Sequence, residues 1–249
     1  MPMMRAPAWL TARPIAHRGL HDRAAGIVEN MPGAMKAAIA GNYAIETDVQ
    51  LTSDGEAMVH HDDALGRLNA GDAALATMTA AELKQVVFKD TTERMMTLGD
   101  LCDLVDGRVT LVVEIKSHFD DNNAIVGRMA QVLAAYRGPV AVMSFDPAKI
   151  RAARAMMPNV VRGIVAERDY KKDWPQLTPA QRHDMTGLHH LPQTQPHFIS
   201  YNVNELPADD VTKARQDGCA LITWTVRTAE QRAISERYAD QITFEGFRP

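Results

Sequence analysis

Short, continuously apolar runs alternate with helical patterns along this chain, and eight such runs can be counted. They are Pro14–His17, Tyr43–Gln50, Val109–Lys116, Val140–Phe145, Val160–Val165, His197–Asn202, Cys219–Val226 and Gln241–Phe244. Apolar runs without a two-residue alternation mark strands buried on both faces, as a parallel sheet requires. Ala57–His60 reads as a further short strand outside the set. Helices are predicted over Met31–Ala40, Leu83–Val87, Leu98–Val105, Asn122–Tyr136, Asp146–Met156, Pro207–Gln216 and Thr228–Arg237. Asn30 stands as a side-chain cap before the first of them, with Pro32 in its first turn. Thr79-Ala80-Ala81-Glu82 has the capping-box pattern, leading into Leu83–Val87.

Strands separated by helices pair in parallel, so the alternation predicts an α/β fold with an open or a closed sheet. Eight strands in 249 residues favour the closed form, a TIM-type (β/α)8 barrel. The expected organisation is a single domain over residues 1–249. One connection breaks the rhythm. About 60 residues separate the second strand from the third, too long for a simple crossover. Arg67–Thr97 is therefore predicted to be a small insertion after the second strand, lying over one barrel end. Tyr170–Pro196 is a second irregular stretch. Its His183, His189 and His190, with His197, resemble a metal cluster only in composition, because an adjacent pair lacks the spacing that shares one helix face.

Composition narrows the partners. A net charge of −4 argues against a nucleic-acid ligand held by phosphate neutralisation. It leaves room for a local basic pocket. Cys102 and Cys219 cannot form a disulfide framework and read as buried thiols. No apolar run approaches the roughly 18 residues of a membrane span, so no stable membrane insertion is expected. The proline-broken N-terminus has no signal-peptide pattern. With Met1 as the start, the expected location is cytoplasmic. No feature specifies an oligomer.

Charged residues gather at the predicted strand ends. His17 and Arg18 follow the first strand, Glu46 and Asp48 lie two apart in the second, and Glu114 and Lys116 lie two apart in the third. Residues two apart in a strand share a face. Such a pair in an apolar strand needs a metal, a counter-ion or solvent. In a parallel barrel the C-terminal strand ends meet at one mouth. Glu46, Asp48 and Glu114 would converge there and repel one another without a cation between them. Oxygen-only ligands favour a hard divalent cation, Mg²⁺ or Ca²⁺. Arg18 and Lys116 supply positive charge for an anionic substrate, and Arg matches phosphate oxygens. His17 and His61 add groups that titrate near neutral pH. His60 alternates with His61 and should point away from it.

These residues, in order, resemble the glycerophosphodiester phosphodiesterase family. His17-Arg18-Gly19, Glu29-Asn30, Glu46-Thr47-Asp48, Val59-His60-His61-Asp62, Glu114-Ile115-Lys116, Ser144-Phe145 and Trp224-Thr225-Val226 are similar to its motifs. The resemblance implies a TIM-type barrel with a small insertion after the second strand. It implies hydrolysis of small-molecule glycerophosphodiesters to glycerol 3-phosphate and an alcohol, with a divalent cation. By the same resemblance Glu46, Asp48 and Glu114 would be metal ligands. His17 and His61 would be the general acid–base pair. Arg18 and Lys116 would contact phosphate, and Glu29 and Trp224 would line the pocket. The chain departs from the family at its last barrel loop, which reads Asp240-Gln241-Ile242-Thr243-Phe244-Glu245-Gly246-Phe247-Arg248-Pro249, and at Met31, where the family usually has Thr.

Two other readings use the same residues. One is a related barrel phosphodiesterase acting on lysophospholipids, in the manner of a lysophospholipase D. The other is a phosphate-ligand-binding barrel without turnover. Product identity separates the first from glycerophosphodiester hydrolysis, and binding with no need for metal marks the second.

Overall fold

The computed structural model describes residues 3–249. Its strands, in chain order, are β1 (Ile15–Ala16), β2 (Ala44–Leu51), β3 (Ala57–Val59), β4 (Leu111–Ile115), β5 (Val140–Ser144), β6 (Val161–Ala166), β7 (Phe198–Asn202), β8 (Ala220–Val226) and β9 (Gln241–Phe244). All but β3 run parallel, each bonded to the next. β1 closes the ring, pairing Ile15 with Ala44 of β2 and with Thr243 of β9. The result is a TIM-type barrel with helices between its strands. β3 lies outside the ring, antiparallel to β2 with Val49 opposite Val59.

Alternation along the strands divides the core and places the charge. Ile45, Val49, Leu111, Val113 and Ile115 face outward, into a layer packed against helices Pro32–Ala40, Leu98–Val105 and Ala124–Ala135. Ile15, Ala44, Val112, Ala141, Met143, Val165, Phe198 and Ile222 gather in a separate apolar cluster with Leu10. Two residues further along the same face, Ala44 gives way to Glu46 and Asp48, and Val112 gives way to Glu114. The barrel is therefore apolar below and charged at its C-terminal mouth. Gly163 makes room for the interior packing, because a Cβ there would overlap the Phe198 ring.

The long connection between β2 and β4 carries β3, a 3-10 turn at Leu75–Thr77, and the helices Ala80–Leu83 and Leu98–Val105. Leu65, Leu68, Leu75, Leu83, Phe88 and Met95 share an apolar cluster with Val28, Met31 and Met58. Met31 thus packs under this segment. The helix expected over Leu83–Val87 is instead a single turn at Ala80–Leu83, with both capping-box bonds of Thr79 and Glu82 in place. Val86 and Val87 are β-branched and disfavour continuation, and Phe88 forms an antiparallel bridge with Asn69. The first strand is shorter than predicted, and Tyr170–Pro196 contains two helices, Pro179–Thr186 and Leu191–Thr194. Among the described residues no helix is long and apolar enough to cross a membrane.

Asn30 does not cap the first helix. Met31 occupies the cap position without a side-chain bond. Asn30 has φ of 58° and is 2 % exposed. Its amide donates to Asp48 Oδ2 at 2.9 Å and accepts from the Thr47 hydroxyl at 2.7 Å. An unsatisfied buried carboxylate costs more than a missing cap, so the tertiary partner wins.

Candidate active site

The mouth encloses a cavity of about 330 Å³ lined by His17, Arg18, Glu46, Asp48, His61, Glu114, Lys116, Phe145, Trp224 and Arg227, among others. Each comes from a strand end or the loop after it. Glu46, Asp48 and Glu114 are buried, with one carboxylate oxygen of each within 4.8 Å of the others. The register that pairs Asp48 with Glu114 puts the second and third acids side by side.

Positive charge is threaded between the acids. Lys116 Nζ lies 2.9 Å from Asp48 Oδ1 and 2.8 Å from Glu114 Oε1. Arg18 Nε lies 3.4 Å from Asp48 Oδ2, while its Nη1 donates to Glu29 Oε1 at 2.6 Å. The Arg18 backbone, at φ 56°, donates to Glu46 Oε2 at 2.9 Å. The turn continues through Gly19, at φ 79°, where a Cβ would come within 2.9 Å of the Ala34 backbone. Glu29 is not among the cavity-lining residues. It stands behind Arg18 and also takes two bonds from Arg67, at 2.7 and 3.0 Å.

Both histidines are held through Nδ1. His17 Nδ1 is 2.7 Å from Glu245 Oε2, and His61 Nδ1 is 2.9 Å from Asp62 Oδ1. His17 Nε2 is 4.0 Å from Glu46 Oε2. Arg67 fixes Asp62 through bonds of 2.7 and 3.1 Å. Trp224 donates its indole N–H to Ser200 O at 2.9 Å and meets Phe145 edge-on, ring centroids 5.5 Å apart. The two rings give the cavity an apolar part to its wall. His60 is buried against Phe88, away from the cavity.

Comparisons with known proteins identify the family and the fold. The sequence model of the glycerophosphoryl diester phosphodiesterase family matches residues 17–243. The chain belongs to that family. A glycerophosphodiester phosphodiesterase of Caldanaerobacter subterraneus is 28% identical over 226 residues, spanning 87% of this chain and 86% of its own. Among solved structures, an Oleispira antarctica phosphodiesterase in complex with sn-glycerol-3-phosphate superposes with a TM-score of 0.77 at 20% identity, covering 95% of this chain and 94% of its own. A Thermotoga maritima glycerophosphodiester phosphodiesterase gives 0.70 at 20% identity, covering 92% of each chain. At that identity the two structures speak for the shared fold.

The electrostatics of this family member are set by burial and by who pairs with whom. Burial, then the charges of Asp48 and Glu114, push the Glu46 carboxyl well above the usual range. Burial would do the same to Asp48, but Lys116 and Arg18 hold it well below. Burial opposes the charge on Lys116, yet Asp48 and Glu114 keep its pKa high. Burial lowers His17, in part offset by its bond to Glu245. Against burial, Arg67 and Arg18 hold Glu29 at about 2. Among the described residues, no Lys or Arg side chain forms an ion pair with Glu46. Burial and two like-charged neighbours thus bear most heavily on Glu46. An oxygen-only donor set of this kind fits a hard divalent cation.

The described residues contain one other group of potential ligands, His17, His21 and Glu245. His183, His189, His190 and His197 belong to neither group. Four residues that shape the site carry no role in the sequence reading, Asp62, Arg67, Arg227 and Glu245, and a fifth, Asn30, is read there as a helix cap. Glu245 had a usable signal, because it follows the last barrel strand as His17 follows the first.

Proposed function

We propose that this chain hydrolyses glycerophosphodiesters to glycerol 3-phosphate and an alcohol, with a divalent cation held by Glu46, Asp48 and Glu114. His17 and His61 act as the general acid–base pair. The observation that carries this reading is the meeting of three buried carboxylates, two imidazoles and three side-chain cations, Arg18, Lys116 and Arg227, around one cavity. What a bound Mg²⁺ or Ca²⁺ supplies is positive charge against the phosphoryl oxygens and a lowered pKa for the attacking hydroxyl or water.

The chain's own groups do the rest. Arg18 and Lys116 face the cavity and bind the phosphate oxygens. Glu29 keeps the Arg18 guanidinium in place. One imidazole removes the proton from the nucleophile, and the other protonates the leaving alkoxide. Trp224 covers the carbon skeleton of the glycerol or the alcohol and limits water at the cavity wall. We take the chain as a single catalytic domain with residues 67–97 as an insertion. We place the reaction in the cytosol, where the free, buried Cys102 and Cys219 stay reduced.

The test is release of glycerol 3-phosphate from glycerophosphocholine and glycerophosphoethanolamine, with Mg²⁺, with Ca²⁺ and with excess chelator. Release that needs metal is the expected result. His17→Ala and His61→Ala should each lower kcat by about 10²–10⁴-fold while the protein stays folded. No glycerol 3-phosphate from folded protein under any condition overturns the reading. Lysophosphatidic acid from a lysophospholipid would then support the lipid-directed alternative.

A further inference from the structure

β9 ends at Phe244 and delivers Glu245 to the barrel mouth, where its backbone N–H donates to Val226 O at 3.0 Å. Its Oε2 receives two side chains. His17 Nδ1 lies 2.7 Å away and Arg227 Nη2 lies 2.8 Å away. An ionised carboxylate only accepts hydrogen bonds. The His17 nitrogen facing it must therefore carry a proton. In the neutral imidazole the other nitrogen, Nε2, then keeps its lone pair, and this is the atom that faces Glu46 across the cavity. Arg227 donates to the same oxygen and so holds in place the carboxylate that grips His17.

We propose that Glu245 is a positioning residue that holds His17 in the Nδ1–H form and presents its unprotonated Nε2 to the cavity. The inference rests on the reading of His17 as a member of the acid–base pair and assigns it the part of the base, since a general acid would carry its proton on Nε2. Its structural half, the grip on His17, stands apart from that reading. Free imidazole side chains exchange between two tautomers, and a proton-accepting nitrogen is needed at the reacting end. Removing Glu245 leaves His17 free to rotate and to place its proton on Nε2.

The experiment pairs kinetics with a spectroscopic signature. Glu245→Ala should lower kcat about 10-fold or more and leave KM within about two-fold, because no substrate contact is removed. In ¹H–¹⁵N correlation spectra the His17 ring, assigned with His17→Ala, should show the Nδ1–H pattern in the wild type and lose it in Glu245→Ala. Glu245→Gln, whose carbonyl oxygen can still accept from Nδ1–H, should recover part of the lost kcat. A wild-type kcat in the alanine variant, an unchanged His17 tautomer, or no recovery by Gln overturns the proposal. Should His17→Ala itself turn over at the wild-type rate, the acid–base reading falls instead, and the spectra still decide whether Glu245 sets the His17 tautomer.

Discussion

Three carboxylates out of water within 4.8 Å of one another repel strongly, and the side chains share the burden unequally. Asp48 has Lys116, Arg18 and Asn30, and Glu114 has Lys116. Glu46 has a backbone N–H, and its burial and two like-charged neighbours hold its carboxyl pKa well above the usual range. A cation that binds the folded state alone raises stability by mass action, about 2.7 kcal/mol at 100 times its Kd. We expect wild-type protein to gain thermal stability on adding Mg²⁺ or Ca²⁺. Glu46→Gln should match or exceed the wild-type Tm in chelator, since it removes a repelled acid, and should lose the metal-induced rise together with activity. Thermal unfolding with and without metal checks this, and a full metal response in Glu46→Gln would sink the assignment. The three acids were legible in the sequence because their two-residue spacing projects onto one strand face. Asn30 was misread for the complementary reason. A cap preference is local, whereas the demand that turned Asn30 inward comes from Asp48, 18 residues away.

Secondary elements carry the site by where they end, and the loops after them by whom they grip. Arg67, at the start of the segment between β3 and the helix Leu98–Val105, is the clearest case. It spans Glu29 and Asp62, and those two acids hold Arg18 and His61 in turn. One guanidinium thus ties a cavity-facing cation to an imidazole through two carboxylates. Arg67 is about half exposed, so the pairs contribute little to stability, of the order of 1 kcal/mol. Arg67→Ala should therefore lower kcat/KM by about 10-fold or more while costing about 1 kcal/mol or less in urea unfolding. An unchanged kcat/KM would show that Arg18 and His61 hold their positions without it. The strand order was readable because apolar runs and their spacing are local signals. The grips made by Arg67 and Glu245 join residues 38 and 228 positions apart, and no periodicity encodes such pairs. The helix misplaced onto Leu83–Val87 shows the same limit at shorter range. Its capping box was correct, but Val86 and Val87 and the Asn69–Phe88 bridge ended the turn at once.

At the scale of the whole molecule, buried acids pull the stability in opposite directions as pH changes. Glu29 and Asp62, each held near 2 against burial by the arginines around them, contribute stability above the ordinary carboxylate range and lose it as pH falls through about 2. Glu167 does the reverse. It follows β6, is 8 % exposed, and has one carboxylate oxygen without a partner. Burial pushes its pKa up to about 7, with Asp173 and Glu205 adding to the rise and a bond from Asn202 working against it. Below the unfolded value of about 4.3 both states are protonated and the stabilising effect is complete. Between about 4.3 and 7 the unfolded chain ionises first, so stability falls with rising pH, and it is lost once pH passes the folded value. Allowing for partial solvation, the loss is about 1–2 kcal/mol. Glu167→Gln has no proton to lose. From pH 5 to pH 8 the wild type should therefore weaken by that amount relative to the variant in urea unfolding. A constant difference between the two proteins across this window would mean that Glu167 titrates at its ordinary value, and that water or a neighbouring side chain reaches the oxygen that stands alone in the fold.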